Sequence, residues 1–177
     1  MKEITLSLVL AVAALTPQLR AQTTASPAAC PSTATLDDLA KAIDSAVTGS
    51  ADKDRTCFRA LFLPEARLVP LAKNADGGFS PHILTVDGWI EAVRKRGSAS
   101  LSEHQIKVTT EVYGHLAHLW STYETRTTPD GKPPEGKVID RGINSIQAIF
   151  DGKQWHIIQI VWQAQTPANP VPEKYLP

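Results

Sequence analysis

Near Ser102 the apolar periodicity of this chain switches from 3.6 to 2, and that switch constrains the fold more than any other feature. Upstream, Leu36, Leu39, Ala40, Ile43 and Val47 recur at helical spacing, with Thr35 placed to cap and Asp37 and Asp38 at the positive end of the dipole. This helix is expected to reach Gly49. A second, from about Asp52, carries Phe58, Leu61 and Phe62 on one stripe, and Pro64 is expected to stop it because proline has no N–H to donate. Ala66–Leu71 then reads as a short edge strand, since Pro70 suits only an edge or an end, and a polar loop follows over 73–81. Thr85 caps a third helix through Val86, Trp89, Ile90 and Val93, closing at Gly97.

Downstream, Ile106, Val108 and Val112 alternate with Gln105, Lys107, Thr109 and Glu111, the signature of a half-buried strand. A turn at Gly114 leads to a strand over Leu116–Thr127, and Pro129–Gly136 forms a long hairpin loop. A third strand covers Val138–Phe150, Asp151-Gly152 reads as a type I′ turn, and a fourth strand runs Gln154–Gln165. Helices first and a meander after them predict an α+β fold: three N-terminal helices on one face of a strongly curved, mainly antiparallel sheet. The tail over 166–177 carries four prolines and is expected to be extended.

The first 21 residues read as a secretory signal: Lys2, an uncharged stretch over Ile4–Leu15, then an exit at Ala21. That stretch has 12 residues, whereas a spanning helix needs about 20, so no stable membrane span is expected. The expected organisation is a signal (1–21), an exported linker (22–34), one domain (35–165) and the tail (166–177), in a secreted or periplasmic protein. A lipoprotein processed at Cys30 is the alternative. Removing the signal takes Lys+Arg from 18 to 16 and Asp+Glu from 18 to 17, a net charge near −1. Nothing there builds the positive field that nucleic acid requires. Cys30 and Cys57 are the only cysteines, and in an oxidising compartment such a pair is expected to close; the competing reading makes Cys57 a small buried hydrophobe.

Three phrases carry a resemblance: Phe58–Leu68, then Gly114–Ala117 with Trp120 and Tyr123, then Phe150–Ile157 with its Asp-Gly turn and Trp155. In these and in element order, over about Leu36 to Gln165, the chain resembles the nuclear-transport-factor-2-like superfamily, in its SnoaL-like branch. The resemblance implies a cone-shaped half barrel. It also implies a fold that hosts isomerases, cyclases, dehydratases and non-catalytic domains, commonly dimeric through the convex sheet face, so fold alone does not choose the activity.

Strict alternation along the last strand puts Trp155, Ile157, Gln159, Val161 and Gln163 on one face and His156, Ile158, Ile160 and Trp162 on the other. Both faces are largely apolar. Three helices cover only one, so a homodimer through the other is expected, with the proline-rich tail as the alternative cover. Trp89 and the polar residues set among apolar neighbours, His118, Tyr123, Arg141, Asn144, Gln147 and Gln159, are the candidates to orient a small apolar ligand. The competing reading makes each polar one a satisfied structural group. No catalytic residue is assigned. Asp87 reads as support for the third helix's N-terminus, Asp140 and Glu124 as solvated at strand ends, and no cofactor motif or metal-ligand spacing stands out. The leading expectation is a ligand-binding homodimer without catalysis; the alternatives are an acid–base lyase or isomerase in the same cavity, and an assembly module.

Overall fold

The computed structural model describes residues 29–97, 100–128 and 136–177. The expected signal over 1–21 and most of the long hairpin loop lie outside them. Three helices, α1 (Leu36–Val47), α2 (Thr56–Ala60) and α3 (Val86–Arg94), pack on six strands: β1 (Phe62–Lys73), β2 (Phe79–Pro81), β3 (Leu101–Tyr113), β4 (Leu116–Thr127), β5 (Val138–Phe150) and β6 (Trp155–Ala164). The sheet order is β2-β1-β6-β5-β4-β3, antiparallel except where β1 lies parallel to β6. Both longer helices start where their caps require. Thr35 Oγ1 accepts from Asp38 N and Thr85 Oγ1 from Gly88 N, each at 3.0 Å, which satisfies amides that have no partner within the helix. Leu39, Ile43, Phe58 and Ile90 from the helices meet Leu119, Ile146 and Ile157 from the sheet in one buried core.

The free edge of β3 is covered from within. Glu103 N donates to Thr48 Oγ1 and Gln105 N to the Asp44 carboxylate, each at 3.0 Å. Two side chains at the end of α1 thereby stand in for a neighbouring strand, which removes an open edge as a pairing template.

Several expectations change. The second helix begins at Thr56 and ends at Ala60, so Pro64 does not stop it; Pro64 sits in β1, within the register shift between Phe62 and Arg67. β1 is interior, flanked by β6 and β2. Pro70 survives there because its carbonyl, and hence the side lacking an N–H, faces His82 N (2.9 Å) rather than β6. The 73–81 loop closes as a hairpin, with Lys73 opposite Phe79. The β5–β6 reversal turns over Gly152 and Lys153, because Asp151 pairs with Gln154 through its backbone N–H (3.0 Å) and its carboxylate (2.8 Å). Strict alternation along β6 also fails. Gln147 pairs with Gln159 and Ala148 with Ile157, so a bulge at Ile158 brings Trp155 and Ile157 onto the same, helix-facing side as Ile160 and Trp162.

The tail crosses the opposite, convex face. Thr122 Oγ1 donates to Tyr175 O and Lys107 Nζ to Leu176 O, both at 2.6 Å, and the Tyr175 ring lies 5.7 Å from Trp120. It is not wholly extended. Pro172 (φ −59°) opens one turn of 3-10 helix over Glu173–Tyr175, closed by Tyr175 N onto Pro172 O at 2.9 Å. Among the described residues no helix is long and apolar enough to cross a membrane. Cys30 and Cys57 are bridged, their Cα atoms 5.2 Å apart.

Candidate functional site

Between the helices and the concave sheet face lies a cavity of about 350 Å³. Its walls are mostly apolar: Ile43 and Val47 of α1, Phe58 of α2, Trp89 and Val93 of α3, and Ile160 and Trp162 of β6. Phe58 stacks on Trp89 with ring centroids 4.3 Å apart. Onto this surface the sheet registers one polar row. Glu103 of β3 lies opposite Thr125 of β4, which lies opposite Asp140 of β5, and all three line the cavity. The adjacent row is Gln105, Tyr123 and Gly142. Glycine at 142 is required there, because a Cβ would stand 2.7 Å from the Tyr123 hydroxyl and strike the Gln163 carbonyl. The missing side chain is the space the phenol occupies.

The Tyr123 hydroxyl donates to Asp140 Oδ2 at 3.3 Å, and Asp140 Oδ1 accepts from Arg141 N at 2.9 Å. Burial raises the Asp140 pKa above the ordinary carboxylate value, against those two hydrogen bonds. Glu103 is more strongly perturbed. Burial first, and then the negative charge of Asp44, push its carboxyl up to about 7, against the hydrogen bond that Thr125 Oγ1 donates at 3.3 Å. Burial likewise raises Asp44 to about 6, although the Gln105 amide opposes it. Burial and the neighbouring Asp140 raise Tyr123, so its phenol stays protonated at any physiological pH. Beside this group Gln105 Oε1 accepts from Ser121 Oγ and from Asn144 Nδ2 (3.3 Å), while Gln105 Nε2 is buried without a partner.

Of the residues singled out in the sequence, Trp89, Tyr123 and Asn144 line the cavity, together with residues that were not foreseen, Glu103 and Asp140. His118, Arg141, Gln147 and Gln159 do not line it. His118 Nε2 pairs with Ser145 Oγ at 3.0 Å, and Arg141 Nε donates to Glu124 Oε1 at 3.0 Å. Gln147 lies opposite Gln159, with Gln147 exposed. The expected solvation of Asp140 and Glu124 is corrected by the same geometry. Asp140 faces the cavity, and Glu124, its side chain 8% exposed, is held between Arg141 and Arg126. Asp87 pairs with Arg59 at 2.7 Å, while Thr85 supplies the cap. A signal for Asp140 existed: it shares strand parity with Asn144. Among the described residues no cluster of three or more His, Cys, Asp or Glu is disposed to hold a metal ion.

No protein-family model and no curated protein matches the chain. Solved structures do. The β subunit of a putative aromatic-ring-hydroxylating dioxygenase from Novosphingobium aromaticivorans is 15% identical over 78% of this chain and 96% of its own, with a TM-score of 0.56. A putative calcium/calmodulin-dependent kinase II association domain from Exiguobacterium sibiricum is 10% identical over 75% and 92%, with a TM-score of 0.53. An NTF-2-like protein of unknown function from Silicibacter pomeroyi is 16% identical over 73% and 92%, with a TM-score of 0.46. At such identities the first two speak to fold and not to activity. The chain shares the α+β fold of the dioxygenase β subunit and the kinase association domain, helices packed on a curved, mainly antiparallel sheet, which is the fold that its sequence resemblance to the nuclear-transport-factor-2-like superfamily implies.

Proposed function

We propose that the cone is the active site of a cofactor-independent isomerase or lyase, acting by general acid–base chemistry on a small, mainly apolar substrate. The observation that supports this is Glu103, a carboxyl held at about 7 inside an apolar cavity, on the same wall as a protonated Tyr123 hydrogen-bonded to Asp140. A general base works best with its pKa near the operating pH. In this reading Glu103 takes a proton from the carbon next to a carbonyl, and Tyr123 turns its single O–H from Asp140 to the oxygen on which charge develops. Pure binding, the leading sequence expectation, has no need of a desolvated carboxyl. An assembly module has no need of a cavity of about 350 Å³.

Deuterium exchange at the α-carbons of 2-tetralone, followed by NMR in D2O, tests the step common to isomerase and lyase. Exchange above the buffer rate, rising with pH as Glu103 ionises and lost in Glu103→Gln with ketone binding retained, is the expected result. Bound ketone with no accelerated exchange in the unaltered protein would sink the proposal.

The remaining readings belong to the same proposal. The chain is exported to a secreted or periplasmic compartment after loss of residues 1–21, and the Cys30–Cys57 bridge supports that while leaving Cys30 no thiol for lipidation. A homodimer uses the end of the convex face that the tail leaves open, where Tyr113, Leu116 and Ile149 are 87%, 52% and 38% exposed.

A further inference from the structure

Beside Glu103 and Asp140 the cavity is lined by two arginines, Arg55 and Arg96, that form no ion pair among the described residues, although the charge of Arg96 reaches Glu103 and favours its ionised form. Arg55 is 2% exposed and lines the cavity with its guanidinium carbon 5.9 Å from the Trp89 ring centroid. Its Nη1 donates to Ala46 O and to Val47 O (3.0 Å), its Nη2 donates to Ser50 O (3.0 Å), and its Nε is buried without a partner. Those carbonyls satisfy donors at the end of α1 but carry only partial charge, so most of a full positive charge is left in a desolvated site. Arg96, just beyond α3, lines the same cavity from an exposed position, and its charge acts on Arg55. Neither arginine forms a salt bridge among the described residues. The cone therefore holds two arginines and two carboxyls that are not ion-paired with one another, with Phe58, Trp89 and Trp162 in the same lining.

We propose that the ligand of this cone is an amphipathic carboxylate: its anionic end pairs with Arg96 in the field of Arg55, and its apolar body lies along Phe58, Trp89 and Trp162 toward Glu103 and Tyr123. This names the substrate class for the acid–base reading and rests on it for turnover, though not for binding. The arrangement also solves a problem of charge. A ligand carboxylate set beside Glu103 would be repelled, whereas at Arg96 it neutralises a site that otherwise holds like charges together. The cavity, at the low end of the roughly 300–1,000 Å³ range of small-molecule sites, suits a body of one or two rings.

The test is calorimetric titration of the full chain with 2-naphthoate and with its neutral isostere 2-naphthamide. The expected result is naphthoate bound about tenfold or more tighter, with that preference reduced by added salt. Arg96→Gln should abolish the preference and leave naphthamide affinity unchanged, while Arg96→Lys should keep part of it. Equal affinities, a preference for the amide, or a naphthoate affinity that Arg96→Gln leaves intact would each overturn the inference, as would failure of both probes to bind at millimolar concentration. The two readings fail separately. Tetralone exchange that depends on Glu103 without a naphthoate preference removes only the carboxylate ligand. A naphthoate preference without catalysed exchange removes only the acid–base step.

Discussion

Replacing Glu103 by glutamine should stabilise the protein at neutral and alkaline pH, and the gain should vanish in acid. In the folded chain burial and the nearby Asp44 raise the Glu103 carboxyl from 4.5 to about 7. Below pH 4.5 it is protonated whether the chain is folded or not, and its burial carries no charge penalty. Between 4.5 and 7 the unfolded chain has released a proton that the folded chain still binds, so stability falls as pH rises. Above 7 the folded chain must hold the ionised carboxylate. At about 1.4 kcal/mol per pH unit, the window spanned by that shift corresponds to a penalty on the order of 3 kcal/mol. Glutamine removes the titration and keeps an oxygen for the hydroxyl of Thr125. Asp44 and Asp140, raised as well, titrate in both proteins, so the difference between variant and unaltered protein isolates residue 103 and its coupling to them. Urea unfolding followed by tryptophan fluorescence, from pH 4 to 8.5, reads that difference, with the buried Trp89 and Trp155 as reporters. Curves that coincide at pH 4 and separate by about 3 kcal/mol by pH 8 are expected. A pH-independent difference, or an unaltered protein more stable than the variant at pH 8, would refute the assignment of Glu103 as a desolvated carboxyl.

Replacing both Cys30 and Cys57 by serine opens a loop of sequence separation 27 and should cost about 3–4 kcal/mol in the chain-entropy account, read as a lower urea midpoint. Gly142→Ala places a methyl group against the Tyr123 hydroxyl and the Gln163 carbonyl; it should destabilise by about 1–3 kcal/mol and abolish tetralone exchange by displacing the phenol. Deleting residues 166–177 removes the cover from Trp120 but no residue of the buried core. Its urea midpoint should stay near that of the full chain, its fluorescence should shift to the red, and light scattering should show a larger share of dimer. A midpoint that collapses instead would make the tail part of the folding unit.

The element types and their order were legible because they rest on periodicity, and periodicity survives as long as strands are regular. The cap residues Thr35 and Thr85 were legible for the same local reason. What the sequence concealed came from irregularities and from pairing at long range. The bulge at Ile158 reverses the facing of the strand's first residues, and no residue type announces it. The parallel partnership of β1 with β6 joins segments about ninety positions apart, so Pro70 looked like an edge marker when its unpaired side faces β2 instead. Half of the site was readable from parity applied strictly. On β5, Asn144 cannot share a face with Arg141 or Gln147, and on β4, Tyr123 cannot share one with His118. That rule removes His118, Arg141 and Gln147 and adds Asp140, while Gln159 is turned from the cavity only by the bulge at Ile158. Glu103 was hidden for another reason: its burial depends on Asp44 and Thr48 folding over the β3 edge, a contact between a helix and a strand that no local pattern encodes.

The two faces of the sheet treat their carboxylates in opposite ways. On the convex face Glu124 sits between Arg126 and Arg141, and the hydrogen bonds from Arg141 hold its pKa below the ordinary value. On the concave face Glu103 and Asp140 have hydroxyl and amide partners and no guanidinium, although Arg55 and Arg96 line the same cavity. Fold stability alone would favour bringing those opposite charges together in a desolvated site. The chain instead ties Arg55 to the carbonyls of Ala46 and Val47 at the end of α1 and of Ser50 in the turn after it. Leaving acid and cation without a direct ion pair keeps a proton on Glu103 to exchange near neutral pH, although Arg96 acts on it from a distance, and leaves both arginines able to take a ligand's charge. A cavity serving only to bind an apolar body would gain from neither arrangement, so the charges in this cone, more than the fold, are what support the proposed acid–base reading.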